Sequence, residues 1–222
     1  MDILELMRSR HSVRQYTDKR IPDDVRRELD DYAAELNAES GLNITIVYDE
    51  PNCFDSRMAH YGKFENVTDY IVVRGKKSAD VNEKGGYYGE KLVLKAQESG
   101  LNTCWVALSH GKTALKLSSG EKEVIVIALG YGKTQGKPHN SKSPSEVSNI
   151  AQDSPEWFAR GVEAALSAPT AINQQKFRII LDGDTVSIKH GLAGPCLNID
   201  LGIVKCHFEL GAGKENFKWK KG

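Results

Sequence analysis

The chain lacks a global electrostatic field: among its 222 residues, thirty lysines and arginines balance thirty aspartates and glutamates. Nothing in that balance attracts nucleic acid or anionic lipid over long range, so any anion site has to be local. Cysteine is scarce, and Cys53, Cys104, Cys196 and Cys206 lie far apart with no CxxC pair. Zinc-ligand spacing is therefore absent, and no metal is expected. No run approaches the roughly 18 apolar residues of a membrane span, and Met1-Asp2-Ile3-Leu4-Glu5 has no secretory apolar core. These absences predict a soluble, cytoplasmic chain with reduced thiols and with neither membrane nor nucleic acid as partner. The basic tail Lys214 to Lys221, with Phe217 and Trp219 interleaved, reads as a solvated C-terminal end rather than a base-stacking surface.

Several familiar phosphate and nucleophile motifs are missing as well. Gly130-Tyr131-Gly132-Lys133-Thr134-Gln135-Gly136 follows an apolar run, but its third glycine comes one place too late for a dinucleotide fingerprint. Lys137-Pro138-His139-Asn140 then cannot start the helix whose dipole would face a pyrophosphate. Gly-Lys-Thr occurs at 111–113 and 132–134, but Val106 and Ile127 stand where a P-loop needs glycine. No local signature joins Cys104 to a histidine, so a thiol hydrolase is not supported.

What is present is a cationic cluster, Arg8-Ser9-Arg10-His11-Ser12-Val13-Arg14-Gln15-Tyr16. It is either a solvated charge cluster or an anion cradle, since guanidinium forks match phosphate oxygens and serine hydroxyls add shorter hydrogen bonds. A distant segment, Ala168-Pro169-Thr170-Ala171-Ile172-Asn173-Gln174-Gln175, favours the cradle. Its proline, small hydroxyl and amide side chains suit a loop that approaches a ligand closely.

Between these segments the pattern is helical and strand-like by turns. Ile3 to Met7 suggests a short helix. Ile21-Pro22-Asp23-Asp24 starts a clear one, with Val25, Leu29, Tyr32, Ala33 and Leu36 on one face and Gly41 to end it. Residues 43–48 read as a strand, 50–66 as a loop, 70–73 as a strand, and Gly85-Gly86 as the approach to a second long helix that ends at Gly100. Residues 102–108 form a short strand or loop, and 123–129 are the most strand-like run. The polar stretch 133–149 is the one linker candidate. Pro155 then opens a helix and 177–182 a strand. Laying Pro22 on Pro155 without a gap brings Val25 onto Phe158, Arg27 onto Arg160, Ile46 onto Ile179 and Asp49 onto Asp182, an internal helix–strand repeat.

Arg10-His11-Ser12-Val13-Arg14-Gln15-Tyr16 resembles the flavin-binding motif of the nitroreductase family. Gly100-Leu101-Asn102-Thr103-Cys104-Trp105-Val106 is similar to that family's Gly-Leu-Gly-Thr-Cys-Trp-Ile stretch, and Val126-Ile127-Ala128-Leu129-Gly130-Tyr131 to its closing strand and Gly-Tyr turn. The family's Ala-Pro-Ser-Ala-x-Asn-x-Gln-Pro-Trp loop, which follows the first helix there, is matched here only after the repeated helix, by Ala168 to Phe177. Family members resemble homodimers whose partner subunit donates this loop, so the displacement implies a single-chain pseudo-dimer.

The resemblance implies an α+β fold, a three-layer α-β-α sandwich with a mixed, mostly antiparallel sheet and two related halves. Residues 1–149 would carry the flavin phosphate cradle, and 150–222 would supply the covering loop. It implies flavin mononucleotide (FMN) as cofactor, NADH or NADPH as electron donor, and a small-molecule electron acceptor such as a nitroaromatic or quinone. It also implies one flavin per chain, in a pseudo-dimer that either stays monomeric or pairs with a second copy. Arg10, Ser12, Arg14 and Lys142 would hold the phosphate and ribityl chain. His11 would join them or be a packed imidazole. Trp105, Val106, Ala107 and Leu108 would lie along the ring, with plain core as the other reading of Trp105. Pro169, Thr170, Ala171 and Asn173 would cover the ring's other side and the ribityl chain, and Gln174 would reach a ring carbonyl. No acid–base residue is expected to be catalytic, because the flavin carries the chemistry. Gln175-Lys176-Phe177 departs from the family's Gln-Pro-Trp and Asn102 from its glycine. A flavin-binding protein without turnover, for storage, sensing or flavin processing, is the alternative.

Overall fold

A computed structural model describes residues 2–220. After α1 (Ile3–Ser9) the cationic cluster runs extended. Then come α2 (Asp23–Ser40), β1 (Asn43–Val47), α3 (Arg57–Tyr61), β2 (Asp69–Lys76), α4 (Val81–Glu98), β3 (Asn102–Val106) and β4 (Glu121–Gly130). The remainder contributes α5 (Pro144–Val147), α6 (Glu156–Leu166), β5 (Phe177–Asp182), β6 (Thr185–His190), α7 (Leu197–Ala212) and β7 (Lys218–Trp219).

The strands form two sheets rather than the single mixed sheet expected. The large one has the order β1-β2-β4-β3 and is antiparallel throughout. The small one, β5-β6-β7, pairs β5 with β6 antiparallel and β6 with β7 in parallel. Alternation along β2 and β4 sends Ile71, Val73, Ile125 and Ile127 to one face and Tyr70, Val72, Val126 and Ala128 to the other. The first face packs on α2 and α4, and the same core continues through α7 and α6 to Ile179, Val186 and Ile188 of the small sheet. Side chains from before residue 149 and after 150 thus share one hydrophobic core. The α-β-α layering holds only in abbreviated form, because among the described residues the helix on the second face is the short α3.

That second face explains residues 50–66. Expected as a loop, they contain α3, capped by the Ser56 side chain accepting from Ala59 N–H. They bury Cys53, Phe54, Ala59 and Phe64 against the sheet, so the segment is a cover, while Tyr61 is left in solvent. The linker candidate also has a fixed course: Ser148 bridges to Ile179, and Asn149 exchanges side-chain hydrogen bonds with the Leu181 backbone.

The two proline-led helices form where expected. Pro22 and Pro155 are the N-cap residues of α2 and α6, and each helix is followed by its strand, β1 or β5. Gly41 closes α2 in the left-handed conformation at φ 70°, where a Cβ is unfavourable. Gly85 and Gly86, however, lie inside α4 rather than before it. A Cβ on Gly86 would stand 2.0 Å from Ile199 O, and one on Gly202 of α7 would stand 1.9 Å from Glu83 O. The two glycines let the helix backbones meet directly, which outweighs their poor helix propensity. The aromatic residues of the basic tail are internal: Phe217 is buried and packs with Trp157, Phe208 and Trp219. Lys221, the last residue of that tail, lies outside the described residues, as does Met1. No helix among the described residues is long and apolar enough to cross a membrane.

Candidate functional site

The cationic segment is pinned beside the large sheet. Val13 N–H donates to Thr103 O at 3.0 Å, and Ser12 bridges to Thr103 on the edge strand β3. Val13 and Tyr16 are buried on the second face of the sheet. Arg10 turns inward and is only 3 % exposed. Its Nε lies 3.8 Å from Glu90 Oε1, yet neither Nε nor Nη1 has a hydrogen-bond partner. Burial pushes the guanidinium below its ordinary pKa, against an upward pull from Glu90. A buried, unsatisfied guanidinium is costly, so its position needs a reason beyond folding.

Arg10 faces a cavity of about 330 Å³, within the range of small-molecule sites. His11, Ser12 and Arg14 share its wall with Arg10, and Trp105 and Ala107 contribute from β3 and its end. The indole is held from behind: Nε1–H donates to Glu90 Oε2 at 2.9 Å. Its ring lies over Gly89, where a Cβ would come within 2.8 Å of it.

The distant loop completes the enclosure, with Pro169, Thr170, Ala171 and Asn173 all lining the cavity. The loop is strained. Ile172, Asn173 and Gln175 take positive φ of 49°, 54° and 44°, and a β-branched residue rarely does so. Hydrogen bonds hold it there. Gln175 N–H donates to Thr170 Oγ1 at 3.0 Å, and the buried Gln175 amide donates to Asn140 O and Asn173 Oδ1, each at 2.9 Å. On the other side, Ala171 N–H donates to both carboxylate oxygens of Asp200 at 3.0 and 3.1 Å, and Gln174 Nε2 donates to Asp200 Oδ2 at 2.7 Å.

Ten of the fourteen residues expected at the site therefore share this one cavity, and Val106, Leu108, Lys142 and Gln174 do not line it. Val106 is buried on the second face of the sheet and Leu108 is exposed. Lys142 Nζ donates to Gln175 O at 2.9 Å, so its ammonium braces the loop from behind. Gln174 is turned away onto Asp200 and Pro195 O.

The opposite wall carries residues that no sequence motif marks. Ile199, Asp200 and Ile203 of α7 line the cavity together with Cys196, which precedes that helix, and Ile125, Ile172, Lys137 and His139 lie elsewhere on its surface. Burial pushes the Asp200 carboxyl up to about 6, with the Gln174 and Ala171 hydrogen bonds opposing. Burial also raises the Cys196 thiol, which keeps it protonated and a poor nucleophile. One available signal was a lone Asp inside the apolar run from Leu197 to Val204, since a charge buried there requires partners. Among the described residues no group of three or more His, Cys, Asp or Glu is placed to hold a metal ion. The chemistry on offer is a cationic, hydroxyl-bearing wall facing apolar side chains and one carboxylate, under a hydrogen-bonded loop. Such a cavity fits a small molecule with an anionic group and an apolar part.

A family profile described as "Putative TM nitroreductase" matches residues 2–212. A crystal structure described as a putative nitroreductase from Thermotoga maritima MSB8 is similar in fold, with a TM-score of 0.71 and 22 % identity, over 100 % of this chain and 90 % of that one. A putative nitroreductase in complex with FMN from Desulfovibrio desulfuricans aligns with a TM-score of 0.55 and 18 % identity, over 70 % of this chain and 99 % of its own. A putative NADH dehydrogenase/NAD(P)H nitroreductase from Parabacteroides distasonis aligns with a TM-score of 0.51 and 20 % identity, over 68 % of this chain and 97 % of its own. No curated protein matches the sequence.

Proposed function

The chain belongs to the Putative TM nitroreductase family, and from that premise we propose that it is an FMN-dependent oxidoreductase whose flavin site is built within one chain. The observation that carries the reading is Arg10, buried at 3 % exposure on the cavity wall with Nε and Nη1 unsatisfied. An anion in the cavity would compensate this buried and unpaired positive charge. Arg10, Ser12 and Arg14 would hold the flavin phosphate. Lys137 at the exposed rim takes the part expected of Lys142, whose ammonium is engaged by the loop. Ile199 and Ile203 offer an apolar wall to the ring system, and Thr170, Ala171 and Asn173 cover it. When bound, FMN supplies hydride acceptance from NADH or NADPH and electron delivery to a small acceptor such as a nitroaromatic or quinone. The protein's part is to bind, orient and exclude water.

In this reading residues 150–222 stand in for a partner subunit. Two observations support it. The helix–strand units α2–β1 and α6–β5 both begin at a capping proline. The Desulfovibrio desulfuricans protein, which is described with FMN, is 99 % covered by only 70 % of this chain, leaving about a third of the sequence for another task. The covering loop occurs once, so one flavin per chain is expected.

Anaerobic mixing of the FMN-loaded protein with NADH, and separately with NADPH, tests the activity. Bleaching of the flavin absorbance, followed by its return on adding a quinone or nitroaromatic, is the expected result. A flavin that binds but stays oxidised with both donors would leave a binding protein without turnover.

A further inference from the structure

One layer behind the cavity wall lies a polar cluster that the proposed function does not use. Glu90 of α4 and His207 of α7 are both fully buried. His207 Nδ1 is 3.0 Å from Ala164 O, and its Nε2 is 2.9 Å from Glu90 Oε1. A carbonyl oxygen only accepts, so Nδ1 carries a hydrogen. A carboxylate oxygen and a bare ring nitrogen would repel at the second contact, so the hydrogen-bond network places another proton on the Nε2···Oε1 line. The other carboxylate oxygen is taken by Trp105 Nε1–H.

Arg10 Nε approaches the same Oε1 but stays at 3.8 Å and makes no hydrogen bond there. His207 and Arg10 thus compete for one carboxylate oxygen, and His207 holds the near position. The nearby Cys104 and Cys206 thiols are buried and raised in pKa, so they add no charge. The charge count follows. With a proton on the Glu90–His207 contact that pair is neutral overall, whichever group formally carries it, and Arg10 leaves a net single positive charge. With no proton there, Glu90 would cancel Arg10.

We propose that His207 is a positioning residue for the cavity: by holding a proton against Glu90 it leaves the Arg10 guanidinium free to bind an anionic group of the ligand. The proposal rests on the reading of the cavity as an anion site. Glu90 fixes the Trp105 indole at the same time, so one buried carboxylate ties both walls to α7.

The test compares three full-length apo proteins, wild type, H207Q and the double variant E90Q/H207Q, each titrated with FMN and, separately, with inorganic phosphate. The side-chain amide introduced by H207Q can still donate to Glu90 but brings no charge, so Glu90 becomes the counter-ion of Arg10. H207Q is expected to weaken both ligands by about tenfold, the effect of one opposite charge at this range. Adding E90Q removes the competing carboxylate and should return affinity to within about threefold of wild type, a rescue that lost packing alone would not give. Unchanged affinity in H207Q, or a double variant as weak as H207Q, overturns the proposal. If H207Q does not fold, nitrogen and carboxyl-carbon NMR of the wild type reads the same claim. An imidazolium, or a neutral ring beside a protonated Glu90, supports it, and a neutral ring beside an ionised Glu90 overturns it. A wild-type protein that binds neither FMN nor phosphate removes the anion site itself, and the role of His207 with it.

Discussion

Replacing Asp200 by Asn should make the apo protein more stable at neutral pH, and the gain should vanish in acid. Asp200 is 7 % exposed, and amide donors from Ala171 and Gln174 are what its carboxylate meets. Burial dominates, and the carboxyl stands at about 6 against an ordinary 3.8. The folded state therefore binds a proton more tightly than the unfolded chain. The stability this contributes is fully present below about pH 4 and is lost as pH rises through about 6. A rise of that size corresponds to ~3 kcal/mol, taken as a ceiling. Asn removes the charge and keeps one oxygen for Ala171 N–H, but takes away one acceptor from Gln174 Nε2, which keeps Pro195 O. Urea denaturation followed by far-UV circular dichroism between about pH 4 and 8 would measure both proteins. Taking the difference at each pH cancels the carboxylates they share. The expected curve is near zero at about pH 4, climbs through 5 and 6, and levels off at about 1–3 kcal/mol in favour of D200N. A difference that is flat with pH, or largest in acid, would refute the assignment of a costly buried charge at this position.

Gly202→Ala should lower the melting temperature. The added Cβ would lie 1.9 Å from Glu83 O and 2.7 Å from Tyr87 N. Overpacking of that kind costs about 1–3 kcal/mol, whereas the helix-propensity gain of Ala is at most ~1 kcal/mol. An unchanged or raised melting temperature would mean that α4 and α7 separate easily. Arg10→Ala and Asn173→Ala should each reduce the flavin retained through purification, read as the ratio of flavin to protein absorbance. If only Arg10→Ala did so, the cationic wall would stand and the covering role of the loop would fall.

Legibility in the sequence followed local punctuation. Pro22, Gly41 and Pro155 mark helix ends through backbone geometry that needs no tertiary partner, and α2 and α6 lie where those residues put them. The Val- and Ile-rich runs of β2, β4 and β5 are similarly self-declaring. Gly85 and Gly86 misled because glycine ordinarily ends helices, and here a contact with a helix more than a hundred residues away overrides that preference. The helix α7 went unread because it is buried on nearly every side and so has no apolar stripe to detect. The same cause hid one wall of the cavity: Ile199, Asp200 and Ile203 belong to that helix. Arg10, Ser12 and Asn173 were accessible because their composition had no local structural use. Lys142 was expected at the phosphate and Gln174 at a ring carbonyl, but their side chains hold the loop and do not line the cavity.

The central claim is that one chain builds one flavin site from its cationic segment and its distant loop. Native mass spectrometry of the purified, FMN-saturated protein tests it most directly. One FMN per chain is expected, lost in Arg10→Ala. Two flavins per chain, or none at saturating FMN, would contradict it.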